Sequence, residues 1–267
     1  MQMAHRVALD SVQLDSVDSR IMISKVETGD GKENVSAVSL MGGSGSRVTG
    51  IHRDSLDITV KFFIRLKKRD MAAREQVLEK ANAWAANGGL LTTNFKSGRQ
   101  IRVFRAQAAA AGDPWEWTKE YSIVLRACGV PYWQESTPVT VTKTSVSSSS
   151  FSMSVGGSER TVLDVTFVNS SQATCNTFSI STGASVVAFD ELGLAPGETL
   201  SIDHVDTGRG AYLRMRIKNT SNVWRSAMAK RLAASSDDLY IMPGSRTVEM
   251  TAQRAGALTA SCSGRYA

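Results

Sequence analysis

Hydrophobic and polar residues alternate along residues 55–66. Apolar side chains occupy every second position there, at Leu56, Ile58, Val60, Phe62, Ile64 and Leu66. A period of two over six repeats predicts a β-strand with one buried face, and Phe63 is the one departure from it. Shorter strands are predicted around Val7 to Val12 and Ile21 to Val26, so the chain opens as a β-rich domain.

The hydrophobic period changes after Asp70. Apolar residues then recur at spacings of three and four, at Val77, Leu78, Ala81, Trp84 and Ala85. This spacing places them on one face of a helix, which we predict over residues 71–87. Asp70 is the predicted N-cap, and Asn87-Gly88-Gly89 supplies residues that tolerate a left-handed C-terminal cap.

Strand patterns resume after the helix. Two short strands, Leu90–Phe95 and Gln100–Arg105, are predicted to form a hairpin through the turn at residues 96–99. A further alternating strand begins after Asp113-Pro114, with one face formed by Trp115, Trp117, Tyr121, Ile123 and Leu125. We expect Pro131 to end this part of the fold.

The composition shifts at residue 137, because Ser and Thr make up 11 of the 18 residues from 137 to 154. We therefore predict two domains, residues 1–136 and 137–267. The second contains eight strand candidates, at Val162–Asn169, Thr177–Ile180, Ser185–Phe189, Thr199–Ile202, Ala211–Asn219, Leu239–Met242, Thr247–Ala252 and Leu258–Tyr266. Short strands at this spacing predict an antiparallel β-sandwich.

The composition is typical of a soluble globular protein, with 42% apolar and 21% charged residues among 267. The N-terminus has no hydrophobic segment of signal-peptide length, so we expect synthesis in a cytoplasm. The formal charge of +6 divides as +4 over residues 1–136 and +2 over residues 137–267. This charge is too small to indicate nucleic-acid binding by itself. We interpret the one dense basic run, Lys67-Lys68-Arg69, as a solvated strand end rather than a phosphate contact.

Patterns that carry enzymatic chemistry are weak throughout the sequence. The glycine-rich stretch Gly42–Ser46 lacks the following residues of a phosphate-binding loop. The three histidines and three cysteines are widely spaced and form no metal-ligand motif, at His5, His52, His204, Cys128, Cys175 and Cys262. The tightest ionisable cluster is Asp203, His204 and Asp206, but strand alternation would turn Asp203 and His204 to opposite faces. We therefore predict no enzyme: no catalytic residue, no cofactor and no metal site.

Carbohydrate binding is the alternative function. Sugar-binding β-sandwiches stack a pyranose on an exposed aromatic side chain, with Arg and Asn side chains nearby as hydrogen-bond partners. Trp224, Arg225 and Asn222 form the candidate glycan contact. A tryptophan that caps one end of the sandwich core is the competing interpretation, and we favour it because buried aromatic residues dominate such cores.

Several stretches together resemble the distal tail protein family of long-tailed, siphovirus-type bacteriophages. In the first half they are the strand Leu56–Leu66, the helix ending in Asn87-Gly88-Gly89, the strand Trp117–Leu125 and the terminating Pro131-Tyr132-Trp133. In the second half, residues 197–203 and 239–246 resemble two turn-bearing stretches of the family's galectin-like domain. The resemblance extends over nearly the whole chain.

This resemblance implies a mainly β fold with one principal helix: an N-terminal belt domain, residues 1–136, and a C-terminal galectin-like β-sandwich, residues 137–267. It also implies a structural virion protein at the distal end of the tail. Six copies would form a ring joining the tail tube to the tail-tip hub, with side fibres or receptor-binding proteins on the outer sandwiches and DNA passing through the lumen. For the ring contact we predict an unpaired strand edge around Ile101 to Phe104. The resemblance does not carry sugar binding with it.

Overall fold

The computed structural model describes residues 5–29, 31, 33–39, 46–111, 119–207, 209 and 211–267. The chain divides into two compact units. The first comprises Met1–Trp133 with Asp206–Gly210, and the second comprises Gln134–Val205 with Ala211–Ala267. The predicted glycine-rich connector at 42–45, and Trp115 and Trp117 of the predicted strand, lie outside the described residues.

The described part of the first unit contains strands, two α-helices and a 3₁₀ turn at Asn94–Lys96. In chain order the strands and α-helices are β1 (Val7–Leu9), β2 (Val12–Gln13), α1 (Leu14–Val17), β3 (Ile21–Thr28), β4 (Glu33–Ser39), β5 (Ser46–Arg53), β6 (Leu56–Ile64), α2 (Met71–Ala85), β7 (Gly89–Thr93), β8 (Arg99–Gln107) and β9 (Tyr121–Ala127). A short strand, β10 (Trp133–Glu135), follows at the junction between the units. The predicted helix and the predicted strands at 56–66 and 90–105 are thus present, each with slightly different ends.

The main sheet of the first unit has the strand order β2-β1-β7-β8-β9-β6-β3, and β4 pairs with β5 in a separate two-stranded sheet. Adjacent strands in the main sheet run antiparallel. Its centre is apolar because β6 and β9 bury alternate side chains on one face: Leu56, Ile58, Val60, Phe62, Tyr121, Ile123, Leu125 and Ala127. Phe63, which departs from the alternation, is 39% exposed.

Helix α2 forms as its terminal residues predict. The Asp70 carboxylate accepts a hydrogen bond from the Ala73 N–H at 3.0 Å, which satisfies one unpaired donor of the first turn. Gly88 adopts φ +65 after the last turn, a conformation that glycine tolerates without steric cost. Val77, Leu78, Ala81 and Ala85 are buried. Trp84 is half-buried and donates its indole N–H to the Val12 carbonyl at 2.8 Å.

The second unit contains β-strands and one short 3₁₀ turn at Met228–Lys230. The strands are β11 (Val139–Val155), β12 (Thr161–Val162), β13 (Asp164–Asn169), β14 (Phe178–Ser181), β15 (Val186–Phe189), β16 (Thr199–Asp206), β17 (Ala211–Lys218), β18 (Trp224–Ser226), β19 (Tyr240–Ile241), β20 (Gly244–Cys262) and β21 (Arg265–Tyr266). The order of the large sheet is β15-β14-β20-β13-β16-β17-β18, with β11 also paired to β20.

Strand β20 organises this unit. It pairs with β11 along most of its length, with β14 through residues 249–252, and with β13 through residues 256–261. Strands on both sides of β20 contribute to one hydrophobic core, including Phe167, Phe178, Phe189, Ile202 and Ile217. The mainly β fold with one principal helix is therefore confirmed.

Two predictions about strands are wrong. Thr247–Ala252 and Leu258–Tyr266 are not two separate strands, because β20 runs unbroken from Gly244 to Cys262, with an irregularity in its pairing to β11 between residues 251 and 256. The stretch Ile101–Phe104 is not an unpaired edge, because β8 pairs with β7 through residues 100–103 and with β9 from Phe104 onward. Both errors concern pairing between segments distant in sequence.

Candidate functional site

The candidate glycan contact lies on β17 and β18, at one edge of the large sheet. Met215 and Ile217 are buried, so the intervening Arg214, Arg216 and Lys218 belong to the opposite, outer face of β17. The register pairs Lys218 with Trp224 and Ile217 with Arg225. Trp224 therefore shares the outer face with the basic residues of β17, whereas Arg225 is on the same side as the buried Ile217.

Trp224 is 41% exposed, and its ring is already in contact with a cation. The Arg216 guanidinium carbon lies 3.7 Å from the ring centroid, and Lys218 Nζ lies 5.8 Å from it. Asp203 on β16 forms an ion pair with Arg214 and lies 3.7 Å from Arg216 Nε. The outer face is thus an aromatic and basic surface, and one face of the indole is covered by Arg216.

Arg225 forms a bidentate ion pair with Glu198. Its two terminal nitrogens donate to the two carboxylate oxygens at 2.6 and 2.7 Å, and one of them also donates to the Gly193 carbonyl at 2.9 Å. The Glu198 side chain is 9% exposed and accepts a further hydrogen bond from the Ala195 N–H. The Arg225 hydrogen bonds hold the pKa of Glu198 below its usual value, against the opposing effect of burial.

Asn222 is an exposed turn residue with φ +63. Its N–H donates to the Asn219 carbonyl at 3.0 Å, within the turn that joins β17 to β18. Trp224, Arg225 and Asn222 are thus neighbours in sequence, but they do not form one surface. Trp224 and Arg225 lie on opposite faces of β18, and Asn222 lies in the turn before it. Trp224 lies on the outer face next to Arg216 and Lys218 of β17, and glycan binding there stays a prediction.

His204 has partners far away in sequence. Its Nδ1 lies 3.2 Å from Asp164 Oδ1, and its Nε2 is hydrogen-bonded to Asp238 Oδ1. The His204 side chain is 9% exposed. Burial disfavours the protonated imidazole, but the two carboxylates outweigh burial and raise the pKa of His204 above its usual value. The His204 hydrogen bond in turn lowers the pKa of Asp238.

Within the sequence cluster Asp203, His204 and Asp206, the first two residues do not share partners. Asp203 pairs with Arg214, whereas His204 pairs with Asp164 and Asp238, as the alternation of side chains along a strand predicts. Within the part of the chain that the structure describes, no group of three His, Cys, Asp or Glu residues could hold a metal ion. Burial raises the pKa of the Cys262 thiol to about 11, so this thiol is a poor nucleophile at neutral pH.

Among the described residues, the strand order of the main sheet ends at β2 and at β3. Strand β3 is the longer, with eight residues, and within the described part of the chain its one partner strand is β6. Met22 on this strand is 51% exposed. The edge also carries Lys25 and Glu27, which form an ion pair at 2.8 Å. A partly apolar edge strand with unpaired backbone groups is a surface suited to contact another chain. No described helix is long and apolar enough to cross a bilayer.

Sequence reasoning missed Glu198, Asp164 and Asp238 as partners of the residues it selected. The sequence separation from Arg225 to Glu198 is 27 residues and from His204 to Asp164 is 40 residues. Such pairs are set by strand order, which hydrophobic periodicity does not determine. The one available signal was the position of Glu198 directly before an alternating strand.

The fold is similar to that of known phage proteins. No protein-family model matches the sequence, and a search of curated proteins finds no significant match. A crystal structure of the SPP1 Dit protein (gp 19.1), described as a paradigm of the hub adsorption apparatus in phages that infect Gram-positive bacteria, is similar with a TM-score of 0.67. The sequences are 13% identical, and the match covers 99% of this chain and 100% of the Dit chain.

A second similar structure is a chain of the phage P2 baseplate in its activated conformation with calcium. The TM-score is 0.53 and the identity 6%, over 99% of this chain and 98% of that chain. At these identities the likeness establishes a shared fold. The expected resemblance to distal tail proteins is confirmed at that level, since both units are included in the match.

Proposed function

We propose that this protein is a structural component of a bacteriophage virion, a ring-forming adaptor at the distal end of the tail. The supporting observation is the fold shared with SPP1 Dit over 99% of this chain and 100% of that one. Six copies would form the ring, which would connect the tail tube to the tail-tip hub. Side fibres or receptor-binding proteins are further partners, and DNA passes through the lumen without sequence-specific contacts. The protein would be synthesised in the host cytoplasm before assembly.

In this proposal residues 1–136 form the ring and residues 137–267 lie at its periphery. A cyclic ring needs a heterologous contact, in which one surface meets a different surface of the next copy. Strand β3 supplies a suitable first surface, because it is a long sheet edge with Met22 half-exposed on it. It replaces the Ile101–Phe104 stretch, because β8 lies between β7 and β9 in the order of its sheet.

Mass photometry and negative-stain images of the full chain test the ring, alone and mixed with purified tail tubes. We expect a six-fold particle, and Met22→Lys should lower its abundance by placing a charge on the β3 edge. Met71→Lys is the matched control, since Met71 is 45% exposed and belongs to the first turn of α2 instead of a sheet edge. A monomer under every condition, including with tubes present, would refute the proposal.

The alternative, a carbohydrate-binding module that recognises host glycans through the second unit, depends on Trp224. The ring of Trp224 is exposed enough to stack a sugar on the side that Arg216 leaves open. Arg225 is held by Glu198 and Gly193 instead of facing the same surface. The geometry thus favours the structural role over the alternative.

A further inference from the structure

The connection between β6 and α2 separates two surface clefts in the first unit. The larger has a volume of about 650 Å³, and we call it the basic cleft; its lining includes Arg20, Arg65, Leu66, Lys67, Lys68 and Ala73. The smaller, of about 270 Å³, shares residues 65–68 with it and adds Arg69 and Arg74. Residues 65–68 therefore form a cationic ridge with a cleft on each side.

The charge of the basic cleft is not neutralised within the described residues. The side chains of Arg65, Lys67 and Lys68 are exposed, and no described carboxylate pairs with them. Arg20 is held by Asp18, to which it donates two hydrogen bonds at 2.7 and 2.8 Å. The remaining acidic group in the lining is Asp70, and one of its oxygens caps helix α2. The cleft is thus a concave surface with a strong excess of positive charge.

The shape and lining of the basic cleft fit a peptide better than a nucleic acid. Leu66 and Ala73 supply apolar contact between the cations, so an apolar side chain can bind between carboxylates. Single-strand binding uses aromatic residues on which bases stack, and the described residues of the lining include none. Arg65 can bind a carboxylate in bidentate geometry, and lysine supplies a point charge.

We propose that the basic cleft is a docking site for an acidic segment of a protein partner, with carboxylates on Arg65, Lys67 and Lys68 and an apolar side chain on Leu66 and Ala73. The exposed basic run at 67–69 is then an interaction surface and not only a solvated strand end. The inference holds whether or not the chain forms a ring, because all the residues involved lie within one copy.

Fluorescence anisotropy of the full chain with a labelled peptide of repeating Glu-Leu-Glu units tests this site. We compare the triple variant Arg65→Gln, Lys67→Gln, Lys68→Gln with a matched triple, Lys96→Gln, Lys143→Gln, Arg254→Gln. Both remove one arginine and two lysines, and neither the matched positions nor their neighbours line the basic cleft. Circular dichroism verifies that each variant is folded.

We expect the cleft variant to bind the peptide at least about tenfold more weakly, with the matched variant unchanged. Binding should also weaken as salt is raised, since exposed charges are screened at about 10 Å in 0.1 M salt. Equal binding by both variants, or no binding by the parent chain, overturns the proposal. Preferential binding of a labelled oligothymidylate, lost in the cleft variant, overturns it in favour of a nucleic-acid site.

Discussion

Glu198 and Arg225 are joined by two hydrogen bonds of 2.6 and 2.7 Å, across the end of the second unit's large sheet. The carboxylate is nearly buried, with 9% of its side chain exposed, whereas Arg225 is 47% exposed. The terminal nitrogens of Arg225 therefore already donate hydrogen bonds within the protein, which limits the hydrogen bonds that they can donate to a ligand.

Replacing Arg225 should destabilise the second unit. Arg225→Ala leaves the Glu198 carboxylate buried without its cation, so we expect a loss of about 1–3 kcal/mol in the free energy of unfolding. Urea denaturation measures the change. Arg254→Ala is the control, because Arg254 is exposed on β20 and should change stability by less than about 0.5 kcal/mol. Equal losses in the two variants would show that the ion pair contributes nothing specific.

The stability of the protein should fall as pH rises above neutrality. The pKa of His204 is raised by folding, so its protonated form stabilises the folded state below the ordinary pKa of about 6.5. This contribution to the free energy of unfolding is lost as pH rises through the higher folded-state pKa. His204→Gln should remove that part of the pH dependence in denaturation curves from pH 6 to 9. His5→Gln is the control for the loss of one histidine side chain.

Gly256 is required by close packing in the core of the second unit. A Cβ added there would lie far inside van der Waals distance of the Phe167 ring and of the Val168 carbonyl oxygen. We expect Gly256→Ala to cost about 1–3 kcal/mol in unfolding free energy. Phe167→Leu in the same chain should recover part of that loss, because it removes the ring. A double-mutant cycle with strictly additive losses would contradict this account.

Trp224 should be dispensable for stability and should confer no glycan binding. It is 41% exposed, and its contact with Arg216 is worth about 0.5–1 kcal/mol at such a site. We expect Trp224→Ala to change the thermal midpoint by a few degrees at most, and the parent chain to give no signal on a glycan array. A glycan signal that Trp224→Ala abolishes would support the carbohydrate-binding alternative.

Local patterns in the sequence predict much of the fold but few of the contacts in the candidate site. The strand Leu56–Ile64 and the helix Met71–Ala85 follow from hydrophobic spacing and capping, which act over a few residues. The prediction for Ile101–Phe104 is wrong because β8 is an internal strand of its sheet through its pairing with β9, some twenty residues further along the chain. The partners of Arg225 and His204 likewise come from other strands, so no local pattern contains them.

The position of β20 has a consequence for how the second unit is made. This strand pairs with β11, β13 and β14, whose paired residues lie 68 to 123 positions earlier in the chain. During synthesis those earlier strands leave the ribosome before residues 244–262 exist to pair with them. The core around Phe167 and Phe178 can therefore close only after β20 has emerged, and contacts of such long sequence separation form slowly. Until then, newly made chains carry unpaired strand edges and depend on rapid completion to avoid aggregating with one another.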